Sequence, residues 1–152
     1  MNLLPEELNK YIDKSVLSGY LRFLDETMRT EYTKLLENYY QWEGGIPFAI
    51  TAFADILVWN DKYVYKYNLL DNDVSVILSG FDYFFQNIED EDYQKDYFEL
   101  DLYEMCREKI GDLNFDECYT FEPIPALGGS KTTETVSKGK SPEFVALLIQ
   151  FS

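Results

Sequence analysis

Histidine is absent from this chain of 152 residues, and cysteine occurs only twice, at Cys106 and Cys118. With so few imidazole and thiolate ligands, no zinc site is expected. The missing histidine also excludes a Ser–His or Cys–His nucleophile pair. The two cysteines form no C-x-x-C pair, and reduced thiols in a cytoplasmic setting are the expectation. Cations are scarce: 13 Lys and Arg stand against 28 Asp and Glu, for a net charge of −15. Direct contact with nucleic acid needs Lys and Arg to neutralise phosphates, so none is expected. Long apolar runs are missing as well. The longest, IPFAITAFADILVW, covers 14 residues and contains Asp55. It is too short to cross a membrane, and no membrane association is expected. The opening MNLLPEELNK has neither a basic region nor a continuous apolar core, so no secretory signal is expected.

What the chain has in abundance is aromatic surface. Tyr and Phe number 13 and 11, and hydrophobic residues make up 46%. That composition belongs to a folded domain, not to an acidic disordered polymer. A length of 152 residues suits one domain, taken as residues 1–152 with a helical part over 1–45 and a second part over 46–152. The acidic excess acts as a solubility device, and it also suits a positively charged partner drawn in by electrostatic steering.

Periodicity divides the chain into three stretches. In the first, Pro5 opening the segment, with Leu4, Leu8, Tyr11 and Ile12 at helical spacing, predicts a short helix. YLRFLD reads as a short extended piece. A helix near 28–40 carries Tyr32, Leu35, Leu36 and Tyr39 on one stripe and ends at Gly44-Gly45. In the second stretch the period falls to two. Tyr63, Tyr65 and Tyr67 alternate with Val64 and Lys66, and Asn60-Asp61 before them predicts a tight hairpin. VSVIL at 74–78 follows the turn DND. In the third stretch Phe81, Phe84, Phe85 and Ile88 return to helical spacing. A helix over 95–110 would place Phe98, Leu102, Cys106 and Ile110 on one stripe, with Gly111 at its end. A Thr-rich strand-like stretch follows, and then a terminal helix capped by Ser141, with Pro142 in its first turn and Phe144, Leu147, Leu148 and Phe151 on its apolar face. The expected fold is α+β, an antiparallel meander of three to five strands with helices at both ends.

Several motifs bear on chemistry. PALGGSKTT resembles the end of a phosphate-binding loop, G-x-x-x-x-G-K-[ST]. Ser130 stands where the second glycine belongs, however, and Pro125 where the first does. The following TTETVS favours a strand over the helix such a loop needs. A tight turn between a strand and a β-ribbon is the expectation, with no cofactor. Asp55 interrupts an apolar run and is the most notable acid. It is read as a carboxylate accepting backbone N–H bonds at a bulge or turn, against the rival reading of a small carboxylate-based hydrolase. DNDVS lacks the glycine and the late glutamate of a calcium loop. The acidic run Glu89, Asp90, Glu91 and Asp92 suits a solvated helix start. With Asp96 and Glu99 it is also a candidate contact for a cationic partner. Tyr63, Tyr65 and Tyr67 form a second candidate contact, because tyrosine anchors interfaces.

GYLRF, IPFAITAFADILVW, KYVYKYN, GFDYFF and DECYTFEPIPALGGS occur in that order. Together they resemble the immunity proteins that protect bacteria from type VI secretion DNase toxins, which carry a GAD-like N-terminal part and a conserved C-terminal domain. The matching positions are Ala52, Phe53 and Asp55; Phe81, Phe84 and Phe85; and Glu117, Cys118, Tyr119, Phe121, Ala126, Leu127, Gly128 and Gly129. Ala54 departs from the family's usual glycine, and EPIPALGG carries an extra proline. The resemblance implies a cytoplasmic, non-enzymatic protein that neutralises a cognate toxin, a basic nuclease, by protein–protein contact. A regulatory adaptor of the SUKH type is the other non-enzymatic reading.

Overall fold

The computed structural model describes residues 4–152; the first three letters of the opening stretch lie outside the described residues. Its central element is a six-stranded antiparallel sheet in which each strand pairs with its sequence neighbours. The strands are β1 (Ser15–Val16), β2 (Leu21–Phe23), β3 (Ile46–Thr51), β4 (Ile56–Trp59), β5 (Tyr63–Asn68) and β6 (Asp73–Ser79). The meander is thus longer than expected, because β1 and β2 extend it from the N-terminal part. A separate hairpin pairs β7 (Glu117–Phe121) with β8 (Val136–Lys140). Helices α1 (Glu26–Leu36), α2 (Phe84–Asn87), α3 (Glu91–Tyr97), α4 (Leu100–Ile110) and α5 (Ser141–Gln150) complete the α+β fold. No helix among the described residues is long and apolar enough to cross a membrane.

Local chemistry explains most of these elements. Asp25 caps α1 by accepting the Met28 backbone N–H at 2.8 Å. Tyr32 and Leu36 of α1 are buried, and Tyr39 is buried just beyond its end. The β4–β5 turn is closed by the Asn60 side chain, which accepts from the backbone N–H of Lys62 and Tyr63, with Asp61 at positive φ. The apolar run 46–59 is two strands joined by a turn. Every residue of β4 is buried, as a strand covered on both faces requires. One face carries Phe48, Phe81 and Phe84, whose ring centroids lie 4.8–5.7 Å apart.

Five local expectations are corrected. The N-terminal turn over Glu6–Tyr11 is a 3-10 helix and buries Leu8. The helix expected over 95–110 is two helices: Phe98 adopts an extended backbone (φ −125°, ψ 161°) between α3 and α4, though its ring remains buried. The stretch 131–135 is turn and bend, and the strand begins only at Val136. Ser141 is the first residue of α5 and not its cap; its buried hydroxyl has no hydrogen-bond partner within the protein. The inward face of α5 is Phe144, Val145 and Leu148, whereas Leu147 and Phe151 are exposed.

Candidate functional site

The acidic run forms the start of α3. Asp90 is its N-cap and accepts the Tyr93 N–H at 3.0 Å, and Glu91 and Asp92 occupy the first turn. Their negative charge is favourable beside the unpaired N–H groups there. Glu89, Asp90, Glu91, Asp92 and Asp96 are all exposed. Glu99 is only half-exposed and is engaged internally. Its carboxylate oxygens both lie 3.2 Å from Lys131 Nζ, and its backbone N–H donates to the Tyr20 hydroxyl.

Two contacts fix α3 against the edge of the main sheet. Tyr93 Oη donates to the Ile77 carbonyl of β6 at 2.6 Å, and Lys66 Nζ of β5 donates to the Tyr97 carbonyl at 2.7 Å. Burial pushes the Tyr93 hydroxyl's pKa upward, so it stays a proton donor at neutral pH.

The tyrosines occupy the opposite face of the same hairpin. Side chains alternate along a strand, so Tyr63, Tyr65 and Tyr67 share one face and Lys66 points to the other. Tyr63 and Tyr65 centroids are 6.2 Å apart, and Tyr65 and Tyr67 are 6.5 Å apart. The row continues through Tyr67–Tyr39 at 6.2 Å to Tyr39–Tyr40 at 5.3 Å, with Trp42 5.4 Å from Tyr67. Tyr63 and Tyr65 are half-buried; Tyr67 is buried beneath Trp42 and Tyr39 and supports the row from below. Tyr40 ends it at 68% exposure, and Val76, the cross-strand partner of Tyr65, is 45% exposed. The acidic helix and the tyrosine row therefore flank the β5–β6 hairpin from its two faces. Sequence spacing gives each patch alone, but not that a single hairpin carries both.

The lysine of the phosphate-loop look-alike is an internal ion-pair centre. Lys131 Nζ lies 2.7 Å from Asp71 and 3.2 Å from Glu99. Burial opposes its charge, but the Asp71 and Glu99 carboxylates outweigh burial and raise its pKa. The preceding turn, Pro125–Leu127, lies within the connection from Phe121 to Val136 between β7 and β8, which is longer than the tight turn expected. Gly129 is held there by close approach, because a Cβ on it would overlap the Pro123 carbonyl oxygen.

Asp55 is 4% exposed and reaches neither solvent nor the acidic patch. Contrary to expectation its carboxylate accepts from the Thr51 hydroxyl, at 3.0 Å, and the Asp55 backbone N–H donates back to that same oxygen at 3.1 Å. Burial raises its pKa to about 6, against the opposing pull of Lys66. One residue of comparable weight escapes sequence reading. Arg22 is 3% exposed, and it donates to the carbonyls of Asn114, Phe115 and Glu117. Its only sequence signal is a cation beside apolar neighbours in GYLRF. Both cysteines are free and buried, with thiol pKa values raised by burial to about 11 for Cys106 and about 12 for Cys118. Neither is a thiolate nucleophile at neutral pH. Among the described residues no three His, Cys, Asp or Glu side chains come together to hold a metal ion.

Residues 78–152 match the family model for the C-terminal part of the T6SS immunity protein Tdi1. This match over the C-terminal half of the chain supports a type VI secretion immunity protein family. The matched segment starts inside β6 and contains α2 to α5 and the β7–β8 hairpin, and with them the acidic run at the start of α3. Its fold is similar to that in the crystal structure of Atu4351 from Agrobacterium tumefaciens. The TM-score is 0.69 at 18% identity, over 97% of this chain and 76% of that one. No curated protein matches.

Proposed function

We propose that this chain is a cytoplasmic immunity protein that binds a cognate secreted toxin and neutralises it by protein–protein contact. The match of residues 78–152 to a type VI secretion immunity family carries the reading. The toxin is a nuclease in this proposal, for a physical reason. A nuclease holds a polyanion and presents a basic cleft, and a −15 protein with an exposed acidic helix is attracted to such a surface. Glu89, Asp90, Glu91, Asp92 and Asp96 make the electrostatic contact. Tyr63 and Tyr65, with Tyr67 beneath them, supply the aromatic one; Glu99 holds the end of α3 in place through Lys131. Neutralisation of this kind needs no catalytic group. The acid with the most perturbed environment, Asp55, is buried against Thr51 and has no access to a substrate.

The experiment is a protection assay. The toxin domain encoded beside this gene is expressed in bacteria with and without the full chain, and DNA integrity is followed. Rescue by the wild-type chain, and loss of rescue when Glu89, Asp90, Glu91 and Asp92 are all replaced by lysine, is the expected result. DNA degradation undiminished by the wild-type chain overturns the proposal.

A further inference from the structure

The break between α3 and α4 opens a groove that neither the family nor the charge pattern assigns. Phe98 is extended and turns its ring inward, so the two helices diverge instead of continuing one another. Between them lies a cavity of about 630 Å³. Its floor and one wall are apolar: Phe98, Leu100, Leu102 and Met105. Helix α4 uses Tyr103 and Cys106 to face the core. Leu102 is partly buried against the core, and Met105, three residues on, takes no part in it. Met105 is 50% exposed. An unbranched thioether in such a position adapts to a partner's shape.

The charges on the groove are as informative as its floor. Glu91 stands on the α3 wall and Asp101 on the α4 wall, both exposed. Lys95 is the one cation in the lining, and Glu99 at the base is already paired with Lys131. A groove between two helices, apolar at the bottom and acidic at the rims, is complementary to an amphipathic helix with an apolar stripe flanked by Lys and Arg. The whole groove lies inside the matched segment 78–152.

We infer that the α3–α4 groove is the anchoring site for a basic amphipathic helix of the toxin. This rests on the immunity reading and adds where the partner sits and what it looks like. Apolar anchors in the groove set the lifetime of the complex, and the acidic rims set its rate of formation.

The test is calorimetric titration of the full chain with the purified toxin domain, inactivated in its nuclease centre. Two groove variants are compared with wild type: Met105→Ser, and the double variant Glu91→Lys with Asp101→Lys. All three sites are exposed, and far-UV circular dichroism checks that both variants fold. Each variant is expected to weaken binding by roughly tenfold or more, as for loss of an interface anchor. Only the charge variant is expected to flatten the salt dependence. Hydrogen exchange on the toxin is expected to protect one basic helix. If wild type binds and both variants bind within about twofold of it, the groove inference is overturned and the immunity reading stands. If wild type does not bind, both fall. If the wild-type chain alone self-associates and Met105→Ser abolishes that, the occupant is a second copy, and the inference is overturned.

Discussion

Thr51 and Asp55 form a closed pair at the β3–β4 turn: the Thr51 hydroxyl donates to the Asp55 carboxylate, and the Asp55 N–H donates to the same hydroxyl oxygen. The carboxylate is buried, and its pKa is raised to about 6 from an ordinary value of 3.8. The folded state therefore binds this proton more tightly than the unfolded chain does. This group's contribution to stability is full below the unfolded value and is lost as pH rises through about 6. Asp55→Asn keeps an acceptor for Thr51 without the charge. Relative to wild type it is predicted to gain stability between pH 4 and pH 7, by about 1–3 kcal/mol at the upper end. Urea denaturation across that range checks the sign; a difference that shrinks with pH contradicts it.

Arg22 connects β2 to the start of β7 and the residues just before it. Its guanidinium donates to three carbonyls there, those of Asn114, Phe115 and Glu117. Removing it leaves buried acceptors unpaired and a hole in the core. Arg22→Ala is predicted to cost about 3 kcal/mol or more in urea denaturation. A loss below about 1 kcal/mol would show that water replaces those bonds at little cost.

The glycines of PALGG separate two physical causes. Gly128 has φ +92° and open space around it, so Gly128→Ala meets only backbone strain, about 1–2 kcal/mol. Gly129 lies against the Pro123 carbonyl. Gly129→Ala must displace the backbone at Pro123 and is predicted to cost at least twice as much, with lost soluble expression as the cruder readout. Equal costs at the two positions would contradict the packing argument.

Lys131 is predicted to have no role in nucleotide binding. Lys131→Met leaves Asp71 and Glu99 without their shared cation and is expected to lower stability by about 1 kcal/mol at low salt, less at high salt. A nucleotide triphosphate added to the wild-type chain is expected to leave the melting temperature unchanged; a rise would contradict the ion-pair assignment.

Most of the sheet was legible because its signals are local. The tyrosine alternation, Asn60-Asp61 and DND each fix a strand or turn within a few residues. The split at Phe98 was not legible: Phe98, Leu102, Cys106 and Ile110 keep helical spacing across it, and the ring stays buried while the backbone leaves the helix. β1 has only two residues, too few to show a period. The acidic patch was visible as letters. That Glu99 pairs with Lys131, 32 residues away, depends on the tertiary fold. So does the meeting of the acidic helix and the tyrosine row at one hairpin. Arg22 was missed for the same reason, since its partners lie more than 90 residues further along the chain.

The central claim is binding to a basic toxin through an acidic face. Its most direct test is calorimetry of the wild-type chain with the toxin domain encoded beside its gene, at low and high salt. The account predicts tight binding that weakens as salt screens the acidic helix. No binding to a folded toxin domain would contradict it.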